Sequence, residues 1–429
     1  MRLEIGTFQV SEIAFGQQTA LDGHRLIVGR DELIGRLAVD RRLKAVRVDL
    51  ARPGEDVRII HVMDAVEPRH KVAGPGVAFP GFLGPTAPVG EGRTHRLQGM
   101  AVLGTGSIPG AHGGLSIKES IVDMSGPAAP YTFFSRTQNL VLGLSTAEGL
   151  SIEEASAAVR LATLRAAAYL ASATEGRAPA SVQRYELGPA ARDLPRVAYI
   201  CQIMTEGSVH QSFVYGRTVD GMLPVVMHPN EFMDGAIVTG DYHIASIRNP
   251  TYFYQNNAAI EELYRRHGRD LAFVGTVVAK TMAWEFEEKE RIAHFAAKTV
   301  RLLGAQGALL SFDNGGHAVA DLMLMCQKCE EQGLKTALVL FEMAEAEGRD
   351  LGFVAMVKEA DAIVSTGNMD AMIDLPPVGK VLGGDQILDF NRYEGGEYGD
   401  PSRGFRTAIR RLYAATTPVG AERLTTVAR

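Results

Sequence analysis

The sequence predicts an α/β protein with a small β-rich N-terminal region, mixed or antiparallel, and a Rossmann-like doubly wound parallel sheet in its C-terminal half. From Phe273 onward, short β-branched runs alternate with longer stretches of helical periodicity, the pattern that right-handed crossovers between parallel strands require. The first 65 residues show period-two alternation broken by turn residues instead, which suits a half-buried antiparallel sheet. With 46% apolar and 22% charged residues among 429, the chain can bury a large core and is long enough for two or three domains.

Taken in order, Arg2 to Val10 reads as a strand, and Asp22-Gly23 separates two apolar runs as a hairpin turn would. A helix follows at Arg30 to Asp40, with an acidic start and Leu33, Ile34 and Leu37 at helical spacing. Leu43 to Ile60 returns to the strand pattern around Arg52-Pro53-Gly54. From Glu67 to Gly126, glycine and proline are dense and interleaved with Phe and Val. A connection of that length is unusual inside a domain, so the stretch is expected to be a long functional loop wrapped on the core rather than a set of short strands.

Thr146 to Thr174 is the clearest helix: Ser151 caps it, Glu153 and Glu154 occupy its first turn, and Leu161, Leu164 and Tyr169 repeat at helical spacing. Arg196 to Met204 is a β-run. The C-terminal half then reads as strands at Phe273 to Ala279, Ala308 to Phe312, Lys335 to Phe341 and Ala362 to Ser365. Helices are expected between them at Glu287 to Leu303, Val319 to Gln332 and Phe353 to Ala360, with Gly304 and Gly333 placed for left-handed C-caps. The expected regions are residues 1–145, β-rich with the long loop; 146–270, a central α/β region; and 271–429, the Rossmann-like domain.

Composition narrows the function classes. A formal charge of −6 without a Lys/Arg run lacks the electrostatic footprint of nucleic-acid binding. No apolar run approaches the roughly 20 residues of a membrane span, and the N-terminus lacks a charged segment followed by an apolar one. Three cysteines, an odd number, point to a reducing compartment, so a cytoplasmic location is expected.

Ligands of an open parallel sheet bind beyond the carboxyl ends of its strands, which singles out the loops Asp313-Asn314-Gly315-Gly316-His317, with Asn314 and His317 as candidates, and Thr366-Gly367-Asn368. Cys326-Gln327-Lys328-Cys329 falls inside a predicted helix with no second pair to complete a zinc site, so its thiols are read as packing groups. Trp284 is read as a core or interface filler. Eleven histidines are scattered without metal-ligand spacing, and no metal is expected. The densest polar cluster holds Glu231 and Asp234, then Asp241, Tyr242 and His243, then Gln255, Asn256 and Asn257. These groups can bind a small polar substrate and move its protons, or they can form a hydrogen-bond network that joins two domains.

Leu50-Ala51-Arg52-Pro53-Gly54-Glu55, Gly92-Arg93-Thr94-His95, Ile121-Val122-Asp123-Met124-Ser125-Gly126-Pro127, Met233-Asp234-Gly235-Ala236-Ile237-Val238 and Gln255-Asn256-Asn257, with Leu263-Tyr264-Arg265-Arg266-His267-Gly268, run through the chain in this order. With them it resembles the precursor of the component B subunits of glycine reductase and its sarcosine and betaine relatives. The resemblance implies a cytoplasmic complex in which the precursor is cut before a cysteine to leave a pyruvoyl cap, while a selenocysteine subunit attacks the activated carbon. Here the chain departs from the family: where the family has Asn-Cys, it reads Asp241-Tyr242.

Self-cleavage needs a Ser, Thr or Cys side chain beside the scissile carbonyl, so no pyruvoyl group, and no other cofactor, is expected. Asp241, Tyr242 and His243 are then the candidate catalytic groups, with Glu231, Asp234, Gln255, Asn256, Asn257, Asn314 and His317 as candidate substrate-binding groups. The expected partners are a small-molecule substrate and a cysteine- or selenocysteine-containing reductase subunit, in an oligomer without nucleic acid or membrane. A non-catalytic scaffold, or a stand-alone lyase or hydrolase using acid/base chemistry, are the alternatives.

Overall fold

The computed structural model describes residues 1–108, 119–207, 210–348, 353–388 and 398–421. Helices form where caps and apolar spacing call for them. Helix α1 (Arg30–Leu37) carries Asp31 and Glu32 in its first turn and buries Leu33 and Leu37. Helix α2 (Ile152–Ser172) starts in a reciprocal cap: Glu154 N donates to Ser151 Oγ at 3.1 Å, and Ser151 N donates to Glu154 Oε2 at 2.9 Å. Its Ala- and Leu-rich face packs onto the strands Val62–Val66 and Met100–Ser107.

The N-terminal sheets are mixed. Ala20–Asp22 and Arg25–Gly29 form the expected antiparallel hairpin, with Gly23 at φ 56 in its turn. Arg2–Gln9, however, lies parallel to Gly92–Gln98 and antiparallel to Ser181–Glu186, and Glu12–Gly16 lies parallel to Arg25–Gly29. Of the expected mixed or antiparallel arrangements the mixed one is found, because strand alternation specifies which face is buried, not which distant strand becomes the partner. The Glu67 to Gly126 stretch is corrected. It contains the strands Arg69–Ala73, Gly92–Gln98, Met100–Ser107 and Ile121–Asp123. Gly74, Gly76, Gly81, Gly90 and Gly99 take positive φ between them, and Ala78, Phe79 and Val89 are buried.

In the C-terminal half, the strands Ala272–Thr281, Arg196–Gly207, Gly307–Ser311, Lys335–Glu342 and Ile363–Asn368 lie side by side in that order, all parallel. Val225–Met227 adds an antiparallel edge beside Ala272–Thr281. One face, with Ala198, Ile200, Val277 and Leu310, packs against helices that start at Phe286 and His317. The opposite face, with Tyr199, Cys201 and Val278, meets the aromatic segment Tyr252 to Tyr254 and the residues Ile260 and Leu263.

The helix expected at Phe353 to Ala360 is absent. Burial alternates there, with Val354 and Met356 exposed while Phe353, Ala355 and Val357 rest on the core, a period of two that a helix cannot satisfy. Among the described residues, the connection into the edge strand Ile363–Asn368 therefore carries no packing helix, and the expected doubly wound pattern is not shown there. Strands also cross the expected region boundaries: Ser181–Glu186 joins the N-terminal sheet, and Lys380–Leu382 pairs with Val57–Ile60. Among the described residues, no helix is long and apolar enough to cross a membrane.

Candidate functional site

The short strand Ile237–Val238 pairs with Phe213–Val214 and delivers the loop from Thr239 to His243. Gly240 lies so near Gln211 that only a residue without a Cβ fits, and Gln211 N donates to its carbonyl at 3.2 Å. That approach sets Asp241 beside His210, which opens a two-residue strand folded back on the end of Arg196–Gly207. Below the loop, the fully buried Arg248 donates to the carbonyl oxygens of Tyr242 (2.6 Å), His243 (2.6 Å) and Val62 (2.8 Å). Thr251 Oγ1 accepts from Thr239 N at 3.1 Å and donates to Asp64 Oδ2 at 2.7 Å. A rigid frame thus holds the loop at the carboxyl ends of the parallel strands.

His243 is held between two carboxylates: its Nδ1 is 3.0 Å from Asp241 Oδ1 and its Nε2 2.9 Å from Glu206 Oε2. The His210 ring stacks on it with centroids 3.4 Å apart and planes at 29°, and His210 Nδ1 is 3.6 Å from Asp241 Oδ1. Asn314 Nδ2 reaches His243 Nδ1 at 3.1 Å from the loop before the His317 helix, and Asp313 is buried next to it. Burial would lower the His243 pKa, but Asp241 and Glu206 outweigh it and raise the value to about 9. Burial acts on Asp241 in the opposite sense to its bonds with His210 and His243, which hold its carboxyl well below the usual range. Asp313, by contrast, is pushed far up by burial and by the charge of Asp241. One buried imidazolium bound to an ionised carboxylate can hold a proton or a polar substrate group.

The sequence candidates separate into three places. Asp241, His243 and Asn314 converge. Tyr242 points away from them, its hydroxyl 3.5 Å from Ser156 Oγ of α2 among the N-terminal core residues. Of the remaining polar candidates, Asp234, Gln255 and Asn256 tie the N-terminal strands to the α/β half, while Glu231 and Asn257 bond within that half. Asp234 accepts from Lys71, Thr94 and Gly90 N, and Glu231 from Tyr215 and His228 N. Gln255 exchanges two bonds with the Glu67 backbone, Asn256 accepts from Arg69 and Arg96, and Asn257 donates to Tyr199. His317 is exposed and lies against Trp284, which is 60% exposed rather than in the core. His210 and Glu206 are the site residues that sequence reasoning missed. Their only local signal is a turn glycine, Gly207 at φ 96, between them.

All three cysteines are free and buried. Burial lifts the thiols of Cys201 and Cys329 to about 12, and that of Cys326 upward, so none is a thiolate nucleophile near neutral pH.

A family described as glycine/sarcosine/betaine reductase component B subunits matches residues 1–426. The chain is 38% identical over 395 residues to the glycine reductase complex component B subunits alpha and beta of Peptoclostridium acidaminophilum, covering 91% of each. It is 37% identical to the sarcosine reductase complex component B subunit alpha of the same organism, over 91% of this chain and 90% of that one. Identity to its betaine reductase complex component B subunit alpha is 33%, over 93% and 92%. No solved structure matches. With a full-length family match and relatives of this similarity, the chain belongs to the glycine/sarcosine/betaine reductase component B family.

Proposed function

We propose that this chain is the substrate-handling subunit of a reductase complex and works as an uncut polypeptide, without a pyruvoyl group. It binds a small polar substrate, of the amine-containing class, at Asp241 and His243, and a thiol or selenol on a partner subunit supplies the nucleophile. The observation that carries this reading is Tyr242. It stands where the family places the cysteine at which the precursor is cut, and its phenol is buried against α2, away from its own backbone carbonyl neighbours. A phenol held there has no route to the preceding carbonyl. The buried, neutral thiols of this chain support a nucleophile supplied in trans.

Two measurements test the reading. Denaturing mass spectrometry of the natively purified protein is expected to give one species of 46.2 kDa; two fragments, the second with a carbonyl-blocked N-terminus, refute it. Turnover of glycine, sarcosine or betaine analogues is expected only after a thiol or selenol subunit is added. Turnover by the isolated chain favours a stand-alone lyase or hydrolase instead.

A further inference from the structure

The loop carrying Asp241 holds an excess of buried acceptors. Asp241 is fully buried and its Oδ2 has no hydrogen-bond partner, although a carboxylate removed from water normally has its lone pairs filled. The buried guanidinium of Arg248 donates to the backbone carbonyls of Tyr242 and His243 in the loop and of Val62 outside it. His243 presents the other half of the arrangement. Its Nδ1 stands 3.0 Å from Asp241 Oδ1 and its Nε2 2.9 Å from Glu206 Oε2. His210 Nδ1 lies 3.6 Å from the same Asp241 oxygen.

The ligating atoms of His210, Asp241 and His243 all lie within 4.8 Å of one another. Two donors on one ion, with bonds of about 2.0–2.2 Å, stand at most about 4.4 Å apart. The two measured separations, 3.0 and 3.6 Å, fit that limit.

We propose that His210, Asp241 and His243 bind one divalent transition-metal cation of the Zn2+ class, with Glu206 as the outer carboxylate that orients His243. Two imidazoles and one carboxylate suit Zn2+, Fe2+ or Co2+ and not the hard cations Mg2+ and Ca2+, which take oxygen ligands. A carboxylate on the far nitrogen of a ligating histidine fixes its tautomer and strengthens it as a ligand. Three protein ligands leave a position open for a substrate atom. Metal binding is a property of this chain alone, so it stands or falls independently of the thiol partner.

The test uses the full chain, stripped with chelator and titrated with Zn2+ by calorimetry and with Co2+ by visible absorption. Expected are one Zn2+ per chain and a Co2+ spectrum of nitrogen and oxygen ligation without a thiolate charge-transfer band. Glu206→Gln is expected to weaken binding about 10–100-fold, and His210→Ala and Asp241→Asn by more than that outer-shell loss; Cys326→Ser leaves it unchanged. No uptake, uptake unchanged in His210→Ala and Asp241→Asn, or a thiolate band that vanishes in Cys326→Ser overturns the proposal. Should a ligand variant fail to fold, the wild-type Co2+ spectrum decides: nitrogen and oxygen bands uphold the site, and a thiolate band or no spectrum removes it.

Discussion

A Cβ on Gly240 would stand 2.2 Å from the carbonyl oxygen of Gln211. The two backbones therefore touch, and the contact is what brings His210 alongside Asp241.

Gly240→Ala forces these strands apart. Because the obstacle is backbone rather than a flexible side chain, the expected loss is about 1–3 kcal/mol in urea unfolding. Zn2+ uptake should fall with it. A variant of unchanged stability and unchanged uptake would show that the close approach does not shape the site.

Tyr242→Phe removes a hydroxyl whose side-chain contact to Ser156 is a long 3.5 Å. It should lower stability by no more than about 1 kcal/mol and leave Zn2+ uptake and turnover in the reconstituted complex intact. His243→Ala should abolish both. Comparable losses from the two variants would place the phenol in the chemistry after all.

Asp64 is fully buried, and burial raises its pKa to about 7 against the bonds from Thr251 and Ala65 N that lower it. Its folded value exceeds its unfolded value of about 3.9, so the native state binds the proton more tightly. The stability linked to it is complete below about pH 4, declines as pH rises towards 7 and stays lost above. The stability of Asp64→Asn relative to the wild type should therefore increase between pH 5 and pH 8, by up to about 4 kcal/mol across the full titration. A difference that is flat with pH would assign Asp64 an ordinary ionised state.

Arg58 and Asp123 are buried and joined by two bonds of 2.7 and 2.8 Å, while Arg58 also donates to the carbonyls of Pro376, Pro401 and Arg403. This pair fastens the C-terminal segments to the strand Val57–Ile60. Asp123→Ala leaves the guanidinium without its counter-charge and should lower unfolding stability by about 3–5 kcal/mol. A change below 1 kcal/mol would mean that the carbonyl bonds alone hold the segment.

Much of the local architecture is legible in the residues. Ser151 and Glu154 announce the start of α2 before any fold is known, because a cap is satisfied within four residues. The β-runs that form the parallel strands are legible for the same reason, as is the hairpin at Gly23. The segment from Phe353 to Ala360 misleads because its composition suits a helix, whereas contact with the sheet imposes a period of two. The polar residues Asp234, Gln255 and Asn256 look like a substrate site in one dimension. In three, their lone pairs and protons are taken up by Lys71, Glu67 and Arg69 from strands far upstream.

By itself, the sequence determines the family, the α/β alternation and the positions of most helices. Each of these depends on neighbouring residues or on residue identity alone. Only the tertiary structure decides that Asp241 and His243 face His210 and Glu206 while Tyr242 turns into the core. Those relations arise from a glycine-permitted approach of two backbone segments and from the burial of Arg248 under the loop, contacts between residues whose separation along the chain carries no periodic signal.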